Sequence, residues 1–413
     1  MKEMHDRAAP GRAIPFDRWE GALRLHVTTS LVCAALIVLA AGAGSARTWH
    51  VRPDRTGDVP TIQAAVDSAV AGDLILLAPG TYTYAGQGTG DDYALIRFLR
   101  GKTDFTLKSE AGPHLTIIDG EWRGRIFYIQ GGEEEQVTIE GFSIVRGKGQ
   151  ALGEFFGGGL IAHLSSPIFR NCVFQNNYAD RGGAVYYAGV SGPRFQNCSF
   201  IGNRAASGAA IYLVNSSLVP RFSDCVIRDN VATSRGGAFF VYHFPFALER
   251  CAIYNNTAEI EGGAMYCERA YPSTITGCTV AANRSAAGSA LALASCEELS
   301  IRSTIVAYNN GGPPFSLSLS SAAFGCSDVY GNAVSDVLPP GASDDGTCFF
   351  LDPRFCGSPA SGNLFLRSDS PCIMRSDDDV VVCGLTGAFP VACGSVAVRE
   401  MTWGAIKSLF GSR

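Results

Sequence analysis

PRFQNCSFIGN, residues 193–203, is one of several near-copies of itself in this chain. PIFRNCVFQNN occupies 167–177 and PRFSDCVIRDN occupies 220–230. Aligning the copies places Cys172, Cys198, Cys225, Cys251 and Cys278 at spacings of 26, 27, 26 and 27. Five residues after each cysteine stands an asparagine: Asn177, Asn203, Asn230, Asn256 and Asn283. The asparagine series runs on to Asn309 and Asn332, after the cysteine has given way to Thr304 and then Ser327. Three residues before each asparagine is an apolar residue, in order Phe174, Phe200, Ile227, Ile253, Val280, Val306 and Val329. A second motif keeps step: RGGAVYY (181–187), SGAAIYL (207–213), RGGAFFV (235–241), EGGAMYC (261–267) and AGSALAL (287–293).

A repeat of this length selects the architecture. It holds three short strands and their turns, and nothing in it has helical periodicity. Period-2 patches bounded by Gly, Asn and Pro argue for strands and turns. Strands related by a constant period run parallel and stack into a solenoid, with equivalent residues about 4.8 Å apart. The prediction is an all-β, right-handed parallel β-helix, a single solenoid with three strands per rung. The asparagines Asn177, Asn203, Asn230, Asn256, Asn283, Asn309 and Asn332 form its structural ladder. Asn suits a turn because it tolerates the left-handed conformation, and stacked amides can bond along the ladder. The Gly-Gly pairs mark a second corner that needs positive φ.

The remaining organisation follows from composition. The chain has 413 residues, 46% hydrophobic and 17% charged, which is too apolar for disorder. The net charge is −5 without a basic run, so no nucleic-acid partner is expected. LVCAALIVLAAGA (31–43), behind Arg18 and Arg24 and before Gly44-Ser45-Ala46, fits a signal-peptide core with cleavage after Ala46. The rival reading is a membrane anchor, but the run is short for a span. The divisions expected are 1–46 for the N-terminal extension and signal peptide and 47–130 for a cap and first rungs. Regular rungs follow over 131–335, Cys-rich C-terminal rungs or a cap over 336–400, and a tail over 401–413. The chain is expected to be exported, secreted or on the cell surface, with no transmembrane segment after cleavage, and to be a monomer.

PTIQAAVDSAVAGDLILLAPGTY (60–82) resembles the N-terminal cap and first rung of right-handed β-helix proteins of the pectate-lyase-like superfamily. Read residue by residue, Pro60 opens a short helix, Ile62, Val66, Ala69 and Val70 share a face, and Gly72 ends it. FQNN, FIGN, GGAV, GGAF and GGAM resemble the repeats of chlamydial polymorphic outer-membrane proteins. CSDVYGN (326–332), LDPRFC (351–356), GNLFLRSDSPC (362–372) and CGLTGAF (383–389) are similar to the closing region of secreted bacterial β-helix proteins. The resemblance implies the fold and leaves activity open, because this fold serves many functions.

Several relatives of the fold cleave acidic polysaccharides, but the Gly-His-Gly motif of polygalacturonases and the pectinesterase signatures have no counterpart here, and no Arg-x-Lys stands at a suitable place. A lyase needs only a base and neutralisation of a carboxylate. The candidates for that are Arg181, Arg235 and Glu261, near Asp180 and Glu259 at the glycine corner. Solvated turn charge is the competing reading, and for the isolated His163 and His243 the sequence favours a structural role over catalysis. The acidic groups Asp91-Asp92, Asp344-Asp345 and Asp377-Asp378-Asp379 leave calcium open as a ligand. None has a recognised calcium-loop spacing, and no metal site is identified. The strand after the corner carries one inward ladder, Val185, Ile211, Phe239, Met265 and Leu291. Its alternate positions carry Tyr186, Tyr212, Phe240 and Tyr266, flanked by Ala184, Ala210, Ala238, Ala264 and Ala290. If these rings face out, exposed ring faces make a sugar-stacking platform; if the pleat is reversed, they are core.

Of the tail cysteines, proximity in sequence pairs Cys356 with Cys372 and Cys383 with Cys393, although connectivity does not follow from sequence. The ladder cysteines are different. Their slot also takes Phe142, Thr304 and Ser327, so it selects an inward packing element and not sulfur. Two functions remain. One is a secreted or surface protein with a non-catalytic binding or scaffold role, binding polysaccharide or a surface glycan. The other is a polysaccharide lyase or glycoside hydrolase acting on acidic polysaccharide.

Overall fold

The computed structural model describes residues 46–87, 94–99, 104–131, 136–149, 155–189, 192–215, 218–373 and 383–393. The signal segment with Cys33, Asp91-Asp92, Asp377-Asp378-Asp379 and the tail 401–413 lie outside these residues.

Because each repeat contributes one strand to each wall, the walls are parallel sheets running the length of the coil. Sheet A has twelve strands, from Thr48–Val51 to Ala342–Asp344. Sheet B has ten, from Gly80–Thr83 to Asp328–Tyr330, and sheet C nine, from Ala94–Phe98 to Phe315–Ser318. A short fourth sheet, D, of five strands (Arg204–Ser207 to Asn310–Gly311) fills the corner between B and C. Neighbouring strands within these four sheets are equivalents one rung apart and pair in parallel, in the register Phe169↔Phe195↔Phe222↔Leu248. The chain is a right-handed parallel β-helix, the hand that right-twisted strands impose on parallel crossovers.

Repetition stacks like on like inside the coil. Phe169, Phe195 and Phe222 lie face to face at 5.2 and 5.0 Å, and Phe174 and Phe200 at 5.1 Å. Such pairs add about 0.5–1.5 kcal/mol each beyond the area they bury. The asparagines are almost fully buried and chained. The Oδ1 of Asn203 accepts both the backbone N–H (2.9 Å) and the Nδ2–H (3.0 Å) of Asn177, and its own Nδ2 donates to Phe174 O at 3.0 Å. The same pattern repeats to Asn332, whose N–H and Nδ2 donate to Asp336, while Gly147 N–H opens the ladder on Asn177. The left-handed residue, however, is the one before each ladder asparagine: Asn176, Gly202, Asp229, Asn255, Ala282, Tyr308 and Gly331. The ladder asparagine keeps an ordinary backbone because its work is done by the side-chain amide. The glycine corners do need positive φ; at Gly182 (φ 65) a Cβ would sit 2.1 Å from Val185 O.

The cysteine slot points inward, with Cys172, Cys198, Cys225, Cys251 and Cys278 buried and unpaired. Its shared chemistry is a weak donor. Cys198 Sγ–H reaches Gln196 O (3.4 Å) and Phe169 O (3.5 Å), and the Thr304 hydroxyl reaches the equivalent carbonyls of Arg302 (2.9 Å) and Ile275 (3.5 Å). Burial pushes the thiols of Cys198, Cys225 and Cys278 well up, so they are inert as thiolates.

The capping helix spans Ile62–Ser68, with Thr61 Oγ1 accepting Ala64 N–H at 3.1 Å as its N-cap. Ile62, Ala65, Val66 and Ala69 close the core; Val70 does not join them and is 65% exposed, because the chain is already extended at Ala69.

Beyond Asp344 the chain leaves the coil as an arm, described over 349–373 and 383–393, and these residues fold back over the outer face of sheet B. Here the sequence-proximity pairing of cysteines is corrected: the disulfides are Cys326–Cys383 and Cys356–Cys393, with Cys348 and Cys372 free. Folding back brings residues 57 and 37 apart in sequence side by side, at Cα separations of 5.4 and 5.9 Å. Among the described residues no helix is long and apolar enough to cross a membrane.

Candidate functional site

The alternation along sheet C settles the pleat. Val185 and Tyr187 point into the core, whereas Ile161, Tyr186, Tyr212, Phe240, Tyr266 and Ala292 form a separate cluster on the outer face. The alanines behave otherwise than expected: Ala184, Ala210, Ala238, Ala264 and Ala290 are fully buried core residues. These alanines sit in the bend that follows the left-handed glycine, and the two-residue alternation begins only with the strand, at Val185 in this rung. Nor do the outer rings offer their faces. Phe156, Tyr186, Tyr212, Phe240 and Tyr266 stack on one another at 4.6, 5.5, 4.5 and 5.1 Å. The four predicted rings are 6–9% exposed, so solvent meets ring edges. Burial pushes the Tyr266 hydroxyl up to about 12 and raises that of Tyr212.

The charged candidates run beside this stripe in one column, through the register Arg181↔Ser207↔Arg235↔Glu261. Arg235 Nε donates to Glu261 at 2.9 Å, and its guanidinium lies 5.1 Å from the Tyr266 ring. Arg181 lies over Phe156 and Tyr212 at 5.5 and 5.7 Å. The rings and charges predicted from sequence are therefore together on one face. Arg235 and Glu261 largely neutralise each other, which leaves neither as a free base or a free cation. His163 sits between the rings of Tyr128 and Tyr186, and His243 against Tyr242 and Tyr271. Asp344 and Asp345 cap a turn, accepting the N–H groups of Gly346 and Thr347, and Asp345 pairs with Arg302 at 3.2 Å. Among the described residues no His, Cys, Asp and Glu converge as a metal site.

A concavity that sequence reasoning missed lies on sheet B. Where the arm docks, outward positions of the sheet are mainly small: Ala252 and Ala281 receive Leu364 and Ala388 beside Tyr254. Main-chain bonds fix the arm there, Gly387 N–H to Ser303 O (2.8 Å) and Ala388 N–H to Thr279 Oγ1 (2.9 Å). Gly362 (φ 78) packs on Tyr254, whose hydroxyl oxygen a Cβ would meet at 2.7 Å. The described residues of the arm stop short of the earlier rungs, and the part of the sheet they leave uncovered is a cleft of about 440 Å³. Its floor is Val173, Ser199, Ile201 and Val226. One end is walled by Phe365 and Phe389, 5.0 Å apart, with Tyr254. The polar lining includes Gln175, Asn171, Asn197, Ser143, His114 and Arg228. Asn197 Nδ2 donates to Asn171 Oδ1 at 2.8 Å, and Arg228 is paired with the neighbouring Asp229. No carboxylate lines this cleft among the described residues. The signal for it in the sequence was slight: Phe365 and Phe389 fall in the non-repeating tail.

With this geometry in hand, comparison with known proteins agrees on the fold. The family model described as right handed beta helix region matches residues 116–246. Pectate lyase Pel9A is similar in structure, with a TM-score of 0.51 and 16% identity, over 84% of this chain and 96% of that one. Pectin methylesterase from carrot has a TM-score of 0.36 and 12% identity, over 78% and 95% respectively. At these identities the likeness is one of fold alone. No curated protein matches the sequence.

Proposed function

We propose that this chain is an extracellular, non-catalytic carbohydrate-binding β-helix protein that holds a glycan in the cleft between sheet B and its C-terminal arm. The observation that carries this reading is the lining. Carboxamides of Asn and Gln present a donor and an acceptor side by side, which suits vicinal hydroxyls, and aromatic rings at one end supply an apolar wall. Glycoside hydrolysis ordinarily needs a pair of carboxyl groups flanking the bond, and the described residues that line the cleft include none. The lyase reading would instead use Arg181, Arg235 and Glu261 on sheet C, where Arg235 is already engaged by Glu261. Two disulfides support an oxidising, extracellular setting.

The test is retention in affinity gels containing neutral or uronic-acid polysaccharides, with product formation read in parallel. Retention without product is expected, weakened about tenfold by Phe389→Ala, the loss of one aromatic contact of about 1.4 kcal/mol, and unchanged by Tyr212→Ala. Retention lost with Tyr186→Ala and Tyr212→Ala but kept in Phe389→Ala would move the site to the stripe. Product formation abolished by Arg181→Ala would replace binding with catalysis.

A further inference from the structure

The arm that walls the cleft is held at its base over a buried carboxyl group. Asp328 stands on the last strand of sheet B and is fully buried. Its Oδ1 accepts the backbone N–H of Leu351 at 3.1 Å, and the Cys372 thiol donates to Oδ2 at 3.5 Å. Both donors belong to the arm and both are neutral. Around them Ile305, Ala307, Phe349 and Leu366 close an apolar cluster with Cys372.

The titratable groups facing Asp328 give it no cation. Tyr308 approaches from the preceding rung, with its hydroxyl donated to Asp352 at 2.9 Å, and Tyr330 lies two residues along the same strand. Asp336 comes from the loop that ends the asparagine ladder, and Asp352 and Cys372 from the arm; the two carboxylates repel a charge on Asp328. Arg354 on the arm is turned to Asp369, at 3.0 Å. Burial, above all, pushes the Asp328 carboxyl up to about 7.

We propose that Asp328 is a protonation latch: neutral, it lets the arm lie on sheet B and complete the cleft; ionised, it is an unpaired charge beneath the arm and loosens it. The consequence for glycan binding rests on the cleft being the glycan site; the latch rests only on the arm's contact with the coil. The Cys326–Cys383 disulfide ties the arm to the coil, so loosening is a local opening and not release. When the arm opens, the carboxyl meets water and titrates near its ordinary 3.8; when docked it holds its proton to about 7. Docking is therefore tightest below about pH 4, weakens about tenfold per pH unit up to about 7, and is level above that.

Amide hydrogen exchange on the full chain between pH 4.5 and 8, corrected for the intrinsic exchange rate, tests this. Protection of Leu351, Gly387 and Ala388 should fall about tenfold per unit to about pH 7 and then level, while Asn203 and Asn230 in the coil stay constant. In Asp328→Asn the arm amides should lose that slope, with the coil amides showing that the variant is folded. If that variant does not fold, Asp352→Asn in its place should move the upper break below pH 7. Arm protection independent of pH in the native chain, or an equal slope in Asp328→Asn, overturns the latch. Failure of the polysaccharide gel at pH 5, where the arm is docked, overturns the carbohydrate reading and leaves the latch to the exchange data.

Discussion

The coil and the arm are built by opposite means. In the coil every interaction has a copy one rung away: an amide on an amide, a phenyl on a phenyl, a thiol on a carbonyl. In the arm each interaction occurs once: two disulfides, a glycine on a tyrosine, a handful of main-chain bonds and one buried carboxyl. Repetition spreads stability, because a nearest-neighbour stack loses two interfaces when one rung is damaged and keeps the rest. A singular contact has no such reserve. The part of the molecule expected to respond to conditions is therefore the arm, and the cleft is built where the two meet.

That contrast can be broken from either side. The largest effect is expected for Phe195→Ala, which empties a fully buried site stacked between Phe169 and Phe222. It should cost about 3–5 kcal/mol, read as a fall in the denaturant midpoint, and local exchange should rise most in the rungs on either side. Reducing both disulfides should remove about 2–4 kcal/mol from arm docking. Arm amides should then exchange faster, with those of Asn203 and Asn230 unchanged; a coil that also opened would show that the arm is part of the same cooperative unit. Asn230→Ala strips the acceptor from Asn203 N–H and from one of its two Nδ2 hydrogens, the other staying on Phe174 O, and leaves them buried. A loss of about 2–3 kcal/mol is expected in equilibrium unfolding. Gly362→Ala forces a Cβ toward Tyr254 at a left-handed position and should cost the arm about 1–2 kcal/mol, seen as faster proteolysis of the arm alone. The smallest effect belongs to Cys198→Ser. Thr304 and Ser327 make the same carbonyl contacts in this slot, so the midpoint should move by less than about 1 kcal/mol.

What was legible follows the same division. The rungs could be placed from Cys198 and Asn203 because a constant period converts sequence spacing into vertical neighbours. The inward ladder of Val185 and its equivalents followed from strand alternation. Ala184 did not, because it sits in the bend after the left-handed Gly182, before the strand and its alternation begin at Val185. The ring faces of the stripe were also out of reach. That Tyr186 points outward is a property of its strand, but whether its face meets water or Tyr212 depends on the rung above. The cysteine pairing failed for a related reason: in a segment without a period, nearness in the chain says little about nearness in space.

By itself, the sequence determined the coil: its strands, its asparagine and glycine corners, and the inward thiol slot. Each of these is a local choice repeated until only one stacking satisfies all the copies. Only the tertiary structure decided where Phe365, Phe389 and Gly362 come to rest, that Cys326 joins Cys383, and that the carboxyl of Asp328 lies beneath Leu351 and Cys372. Those contacts are made once, between residues tens of positions apart, so no repetition announces them. They depend on the shape of a sheet that must first be wound.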